Sequence, residues 1–511
     1  MKRHVSTWGN FAFGSLVTAL AGCGGGSGGG SGYSAAAPAP APSQKPAASF
    51  TQPAMALSIN FGQALTLVWT SASASSCTAA ASSAGGGEFT GSQSMSGTQT
   101  VVPSAPGTYT YTLLCTGSGG SVSASTPSVT VNPSILSALA PTGAIPTIGS
   151  TVDPINGDQN PYGLTIAPAT MGLITKGDLV VCNFNNGNTG STPNTQGLGT
   201  TIIGLHPAAG STPYRIAQSA DLKGCDALTM LPDDSISAAA WSATQNSLVS
   251  AAGVVGTPFA ADSFAYPWGE AYVAATDTQP AAIYVSNAPG GAAIAAGGTI
   301  DRISLDGDAQ TSFTQIASGF CTTGAPGGIF GPAGLTYDPA SDTLYVIDTS
   351  SASVIAIAGV SSVGAGGVVV NGQCSGTTTP APAPTFSGAS ASSARVIAHG
   401  APFNTPLSAA LLSDGDLVVG NADIGLSTPS SATNLLIEVS PALPGGFVGQ
   451  PLQVDSGTPG ALFGIAATVD AQGNQVVYFN DDNDNAVMEL SASAAVAPAP
   501  APAPSPYDVS R

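Results

Sequence analysis

Side chains able to do chemistry are sparse in this 511-residue chain, and they recur at one kind of place. Six short apolar runs end in the same way: LVVCN at Asn183, SAAAW at Trp241, IYVSN at Asn287, LYVID at Asp348, LVVGN at Asn421 and VYFND at Asp481. All but the second stop on an amide or a carboxylate. Asn and Asp side chains bond to nearby backbone amides and accept tight turns, so their first duty is to end a strand. Gathered on one surface, the same groups make a polar binding face. Glu270 belongs near them. It follows Pro267-Trp268-Gly269 at the head of the run that pairs with IYVSN, and only Glu438 and Glu489 share its type between residues 133 and 495. The three histidines, His4, His206 and His399, stand apart from one another and read as surface or core residues.

The elements that must position these residues also repeat. Upstream of the six runs lie YGLTIAP, ALTMLP, WGEAYVAA, AGLTYDP, LSAALLSDG and FGIAATVDAQG. Downstream there is usually a third apolar segment, such as TTIIGLHP, SVIAIAG or NLLIEVSP. Strand, turn, strand and strand again is the meander of a β-propeller blade, which cannot bury both of its faces alone and so stacks around an axis. The stretch GPAGLTYDPASDTLYVIDTSSASVIAI, residues 331–357, resembles an NHL-repeat blade. The resemblance implies a six-bladed propeller over residues 133–495, with residues 135–155 completing the last blade. In a meander the second strand ends on the face where the innermost strand begins. Asn183, Asn287, Asp348, Asn421 and Asp481 are therefore expected on one face of the ring, with Glu270 close by.

Ahead of the propeller, residues 48–132 alternate with period two at Leu65, Leu67, Trp69 and at Tyr109, Tyr111, Leu113, Cys115, the pattern of half-buried strands. A Trp before one Cys and a Tyr-rich strand carrying the other resemble bacterial immunoglobulin-like domains. The fold class expected is thus all-β, a small immunoglobulin-like sandwich followed by a six-bladed β-propeller. Trp69 precedes Cys77 instead of lying between the cysteines, a departure from the antibody pattern.

The first 23 residues supply an address. Lys2 and Arg3 precede a short apolar stretch and then LAGC, ending at Cys23. A basic start and a brief apolar run form an export signal, and Leu-Ala-Gly before Cys resembles the lipobox of bacterial lipoproteins. That likeness implies a signal peptide over 1–23 with Cys23 acylated, so that fatty chains hold the protein to the membrane. Gly24 instead of Asp implies the outer membrane of the cell, facing either the periplasm or the cell surface. Residues 24–47, Gly/Ser-rich and then Ala/Pro-rich, read as a tether, and residues 496–511 as a disordered Pro/Ala-rich tail. GGSGG within the tether matches a hydrolase elbow only in letters, since no strand precedes it. With Cys23 set aside, six cysteines remain, an even number suited to an oxidising compartment. Cys77–Cys115, Cys182–Cys225 and Cys321–Cys374 are the local pairings among the connectivities that six cysteines allow.

Composition narrows the function. The net charge is -19, and Lys and Arg together number only 9, scattered singly, so no face can neutralise a phosphate backbone and nucleic acid is not an expected partner. No Gly-Lys pair exists to cradle a nucleotide phosphate. DDNDN at Asp481–Asn485 opens like an EF-hand loop, but Ala486 holds the glycine position and Ala492 that of the terminal glutamate. Two functions stay open. NHL-type propellers present a face to a protein, peptide or glycan, which implies an envelope-anchored binding or scaffold module without catalytic residues. Six-bladed lactonases of the gluconolactonase type instead hold a divalent cation at the channel mouth. That likeness implies Ca2+ on oxygen ligands such as Glu270, Asn183, Asp348 and Asp481, polarising an ester carbonyl.

Overall fold

The computed structural model of the chain describes residues 43–188, 193–259, 263–289, 295–322, 331–372, 374, 382–423, 432–443 and 445–492. The export segment, Cys23, the tether as far as residue 42 and the tail over 496–511 lie outside them. Among the described residues no helix is long and apolar enough to cross a membrane.

Alternation shapes the first strands. In Leu65–Ala72 the side chains of Leu65, Leu67 and Trp69 are buried and Thr66 is exposed. In Tyr111–Gly117 the buried set is Tyr111, Leu113 and Cys115. Three small sheets enclose these residues in one core with Phe89, Val101, Tyr109, Val129 and Val131. The Cys77–Cys115 disulfide joins directly opposed residues of the paired strands Ser76–Ala81 and Tyr111–Gly117, with 4.1 Å between Cα atoms. It therefore lies within one sheet, whereas the bridge of antibody domains spans two.

Six sheets follow, and they are the blades of a propeller. Their inner strands are Gln159–Ile166, Cys225–Met230, Pro267–Val273, Pro332–Asp338, Pro406–Leu411 and Ile465–Val469. Each is the terminal strand of its own sheet, each packs on the next, and the sixth packs on the first, so the ring is closed. The second strands are Leu179–Asn185, Ile236–Ala240, Ala281–Asn287, Thr343–Asp348, Leu417–Asn421 and Gln475–Asp481, the six runs picked out from the sequence. All but the third are buried at every residue, because neighbouring blades cover both faces. That double burial is why the runs read as continuous apolar stretches without alternation. Trp241 lies one residue beyond its strand, and Ala240 holds the register position that Asn or Asp fills elsewhere.

The ring is fastened by its own leading end. Thr147–Ser150 pairs antiparallel with Ala486–Ser491 as the outer strand of blade six. Among the described residues blade two has three strands, with the bridges Val249↔Val255 and Asn246↔Phe259 along its outer edge. Blade three is the largest, with the long hairpin Ala295–Asp306 and Ala309–Thr322 extended by Val368–Asn371 and Thr385–Ser387. Disulfide Cys321–Cys374 ties that hairpin to the segment after blade four's third strand, and Cys182–Cys225 links blade one to blade two.

Candidate functional site at the propeller axis

Each inner strand opens with a corresponding triplet. In order these are Tyr162-Gly163-Leu164, Asp226-Ala227-Leu228, Trp268-Gly269-Glu270, Ala333-Gly334-Leu335, Leu407-Ser408-Ala409 and Phe463-Gly464-Ile465. The middle residue is always small. A Cβ on Gly464 would sit 2.4 Å from the carbonyl oxygen of Tyr162, and one on Gly269 would sit 2.1 Å from that of Ala333. Glycine at these positions lets neighbouring inner strands close on the axis, leaving a cavity of only about 70 Å³.

The first residues of the triplets make an aromatic lid. Tyr162 stacks between Phe463 at 3.7 Å and Phe184 at 4.2 Å, and Trp241 and Trp268 complete the buried cluster. At the other end of the axis, where the inner strands finish, a depression of about 330 Å³ is open to solvent. Thr165, Thr229, Tyr272, Thr336 and Tyr337 line it, together with Glu270.

Two carboxylates break the pattern. Asp226 replaces an aromatic or apolar residue in blade two, and Glu270 replaces an apolar residue in blade three; each is only 6% exposed. Glu270 Oε1 accepts hydrogen bonds from Ser237 Oγ at 3.0 Å and from Asn246 Nδ2, both of blade two, and the amide of Thr229 also favours its charged form. Its Oε2 has no partner, nor has either oxygen of Asp226. Burial pushes Glu270 up to about 8 despite those donors. Burial, then the nearby charge of Glu270, pushes Asp226 well above the carboxylate range, moderated by the amides of Asp226 and Ala227. Among the described residues the ion pairs are Arg215–Asp153 and His206–Asp178, so neither axial acid has a cationic side chain as counter-ion.

The asparagines and aspartates chosen from the sequence share a register position at the lid end. Asn183 pairs with Pro161, Asn287 with Pro267, Asp348 with Pro332 and Asn421 with Pro406. All five are buried and hydrogen-bonded locally, although Asn183 Oδ1 is left without a partner. Asn183 Nδ2 donates to Thr151 O at 3.0 Å, and Asn287 Oδ1 accepts from the amides of Ala265 and Tyr266. Asp348 accepts from Ser350 and Ser351, Asn421 Oδ1 from the Asn404 amide, and Asp481 from the Asp484 amide at 3.4 Å. Burial raises Asp348 and Asp481 to about 6. Glu270 is brought instead to Ser237, Asn246 and Asp226, one step deeper along the axis.

Residues just before these turn-formers do a second job that sequence reasoning missed: they staple one blade to the next. Cys182 bonds to Cys225, Ser286 Oγ donates to Ala333 O at 2.6 Å, and Asn480 Nδ2 donates to Tyr162 O at 3.1 Å. Asp226 was missed as well. The signal for it was an acid inside ALTMLP's own strand, directly after Cys225.

Elsewhere, Asp414, Asp416 and Glu438 gather within reach of one ion on blade five. Glu438 spends both oxygens on the amides of Ile135 and Leu136, at 3.2 and 2.6 Å, capping the short helix Ile135–Leu139. Exposed His206 holds Asp178 through Nδ1 at 2.6 Å, and His399 Nδ1 lies 2.9 Å from Ser351 O.

No protein-family model matches the chain, and no curated protein matches it. Solved structures that it resembles include regucalcin, a calcium-binding protein from Agrobacterium tumefaciens, at 14% identity and a TM-score of 0.40 over 68% of this chain and 95% of that one. A chain of a nidogen/laminin complex is similar at 14% identity and a TM-score of 0.38, over 61% of this chain and 85% of that one. Virginiamycin B lyase from Staphylococcus aureus is similar at 12% identity and 0.36, over 66% and 96%. These neighbours are β-propeller-like, and the six-bladed architecture itself rests on the strand connectivity described above.

Proposed function

We propose that this is a lipid-anchored cell-envelope protein whose propeller binds a protein or glycan partner. The observation that carries the binding role is the open depression of about 330 Å³ at the strand-finishing end of the axis. Tyr272 and Tyr337 line it with aromatic side chains and Thr165 with a hydroxyl, while the hydroxyls of Thr229 and Thr336 are held by the Tyr272 amide and the Ala409 carbonyl, so that four different blades contribute. Aromatic faces beside hydroxyl groups suit sugar rings and the side chains of an extended peptide. The sandwich then acts as an immunoglobulin-like spacer, and the lipobox-like LAGC supports acylation at Cys23 and attachment to the outer membrane.

The test is a glycan array and an envelope-protein pull-down with the lipid-free chain, repeated with Tyr272→Ala and Tyr337→Ala. Saturable binding that falls at least tenfold in either variant supports the proposal. Binding untouched by both variants counts against it. So does lactone or ester turnover abolished by Glu270→Gln, which would make the propeller a hydrolase. Fatty-acid labelling lost in Cys23→Ser tests the anchor separately.

A further inference from the structure

Two carboxylates, Asp226 and Glu270, line one small cavity from neighbouring blades with three of their four oxygens unpartnered. Burying a carboxylate without a partner is among the costliest things a fold can do, and buried charges are found paired or on metal ions. Among the described residues no side-chain donor completes either group, and Asp226 has only the nearby amides of Asp226 and Ala227 to favour its charge. Ser408 of blade five, whose Oγ is likewise unpartnered, lines the same cavity. Every free donor is thus an oxygen, the ligand type of hard cations. We infer that Asp226 and Glu270 hold a calcium-type divalent cation on the propeller axis, where it locks blade two to blade three.

Size and access agree with this. A volume of about 70 Å³ accommodates one dehydrated ion with a water or two. Calcium accepts irregular oxygen cages, whereas magnesium demands a near-ideal octahedron and keeps its waters, so the cramped cavity favours calcium. Glu270 lines both the cavity and the open depression, which gives the ion a route in. This ligand set differs from the one expected from the sequence. Asp348 and Asp481 are engaged in their own turns, Asn183 bonds Thr151 and Thr201 through its amide nitrogen and lies off the cavity lining, and Asp226 takes the place beside Glu270. The inference does not depend on what the depression binds.

The experiment uses the lipid-free chain stripped with EDTA, then titrated with CaCl2 or MgCl2 by calorimetry and by thermal unfolding. One Ca2+ per chain at the axis is expected, with a Tm that climbs with log[Ca2+] and weaker binding of Mg2+. Glu270→Gln and Asp226→Asn should each weaken binding at least tenfold, while Asp414→Asn leaves it unchanged. Circular dichroism confirms folding, and if Asp226→Asn fails to fold, Glu270→Gln decides alone. The inference is overturned if the wild-type chain binds no Ca2+. It is equally overturned if Asp414→Asn abolishes binding and the axial variants do not, or if the only response is a Tm that rises on acidification, the mark of two acids that simply protonate.

Discussion

Two junctions between blades solve the same packing problem with opposite chemistry. Where blade six meets blade one, Phe463, Tyr162 and Phe184 stack, Gly464 lets the strands touch, and Asn480 staples the backbone of Tyr162. None of these residues is charged, and the one side-chain oxygen among them left without a partner is the neutral amide oxygen of Asn480. Where blade two meets blade three, the corresponding positions carry Asp226 and Glu270, and three carboxylate oxygens go unpartnered. A fold that obeys its own rule at one junction and breaks it at another marks the second as a place kept for something other than stability.

The contrast can be attacked from either side. The largest effect is expected at the apolar junction: Gly464→Val forces side-chain atoms into the Tyr162 carbonyl and should cost about 3 kcal/mol in urea unfolding. A change below 0.5 kcal/mol, roughly the scale of a surface substitution, would mean that the strands are not held so closely. At the polar junction the sign reverses. In EDTA, Asp226→Leu removes a buried acid in favour of the residue type blade five uses, and should stabilise the chain by about 1–2 kcal/mol. Destabilisation there would show that Asp226 is already satisfied without an ion.

A third handle on the same junction is pH. Glu270 is raised to about 8 in the folded chain, whereas an unfolded Glu titrates near its ordinary value of 4.5. Between those values the folded state holds more protons, so stability is greatest at low pH and is lost as pH rises toward 8. The metal-free chain should therefore show a Tm that drifts down from pH 5 to pH 8, and Glu270→Gln should flatten the drift. Some slope will remain, since burial also raises Glu438 to about 7. An unchanged slope in Glu270→Gln would remove Glu270 as the source.

The ring was legible from the sequence because its signal is repeated. LYVID and LVVGN are continuous apolar runs since blades cover both faces, and each ends on the Asx residue that its turn requires. The small sheets ahead of the ring were legible by the opposite sign, alternation at Leu65, Leu67 and Trp69. The site was harder. Glu270 stood out by rarity, but its partners Ser237 and Asn246 sit on other strands and look like ordinary polar residues until the blades are stacked. Asp226 is visible as an anomaly only after the triplets are aligned by register, which depends on the bulges that offset each inner strand against its neighbour. Periodicity reports which face a residue takes, not which distant side chain it meets there.

The pairing of Thr147 with Met488 has a bearing on how the molecule comes into being. Five blades can be synthesised and begin to settle while the first still has a bare flank, and nothing covers it until the final hairpin arrives. Assembly is therefore a clasp that closes only once Ala486–Ser491 meets Thr147–Ser150. A chain cut before Ile465 would lose blade six and be left as an open fan with two sticky borders, prone to join its copies instead of itself.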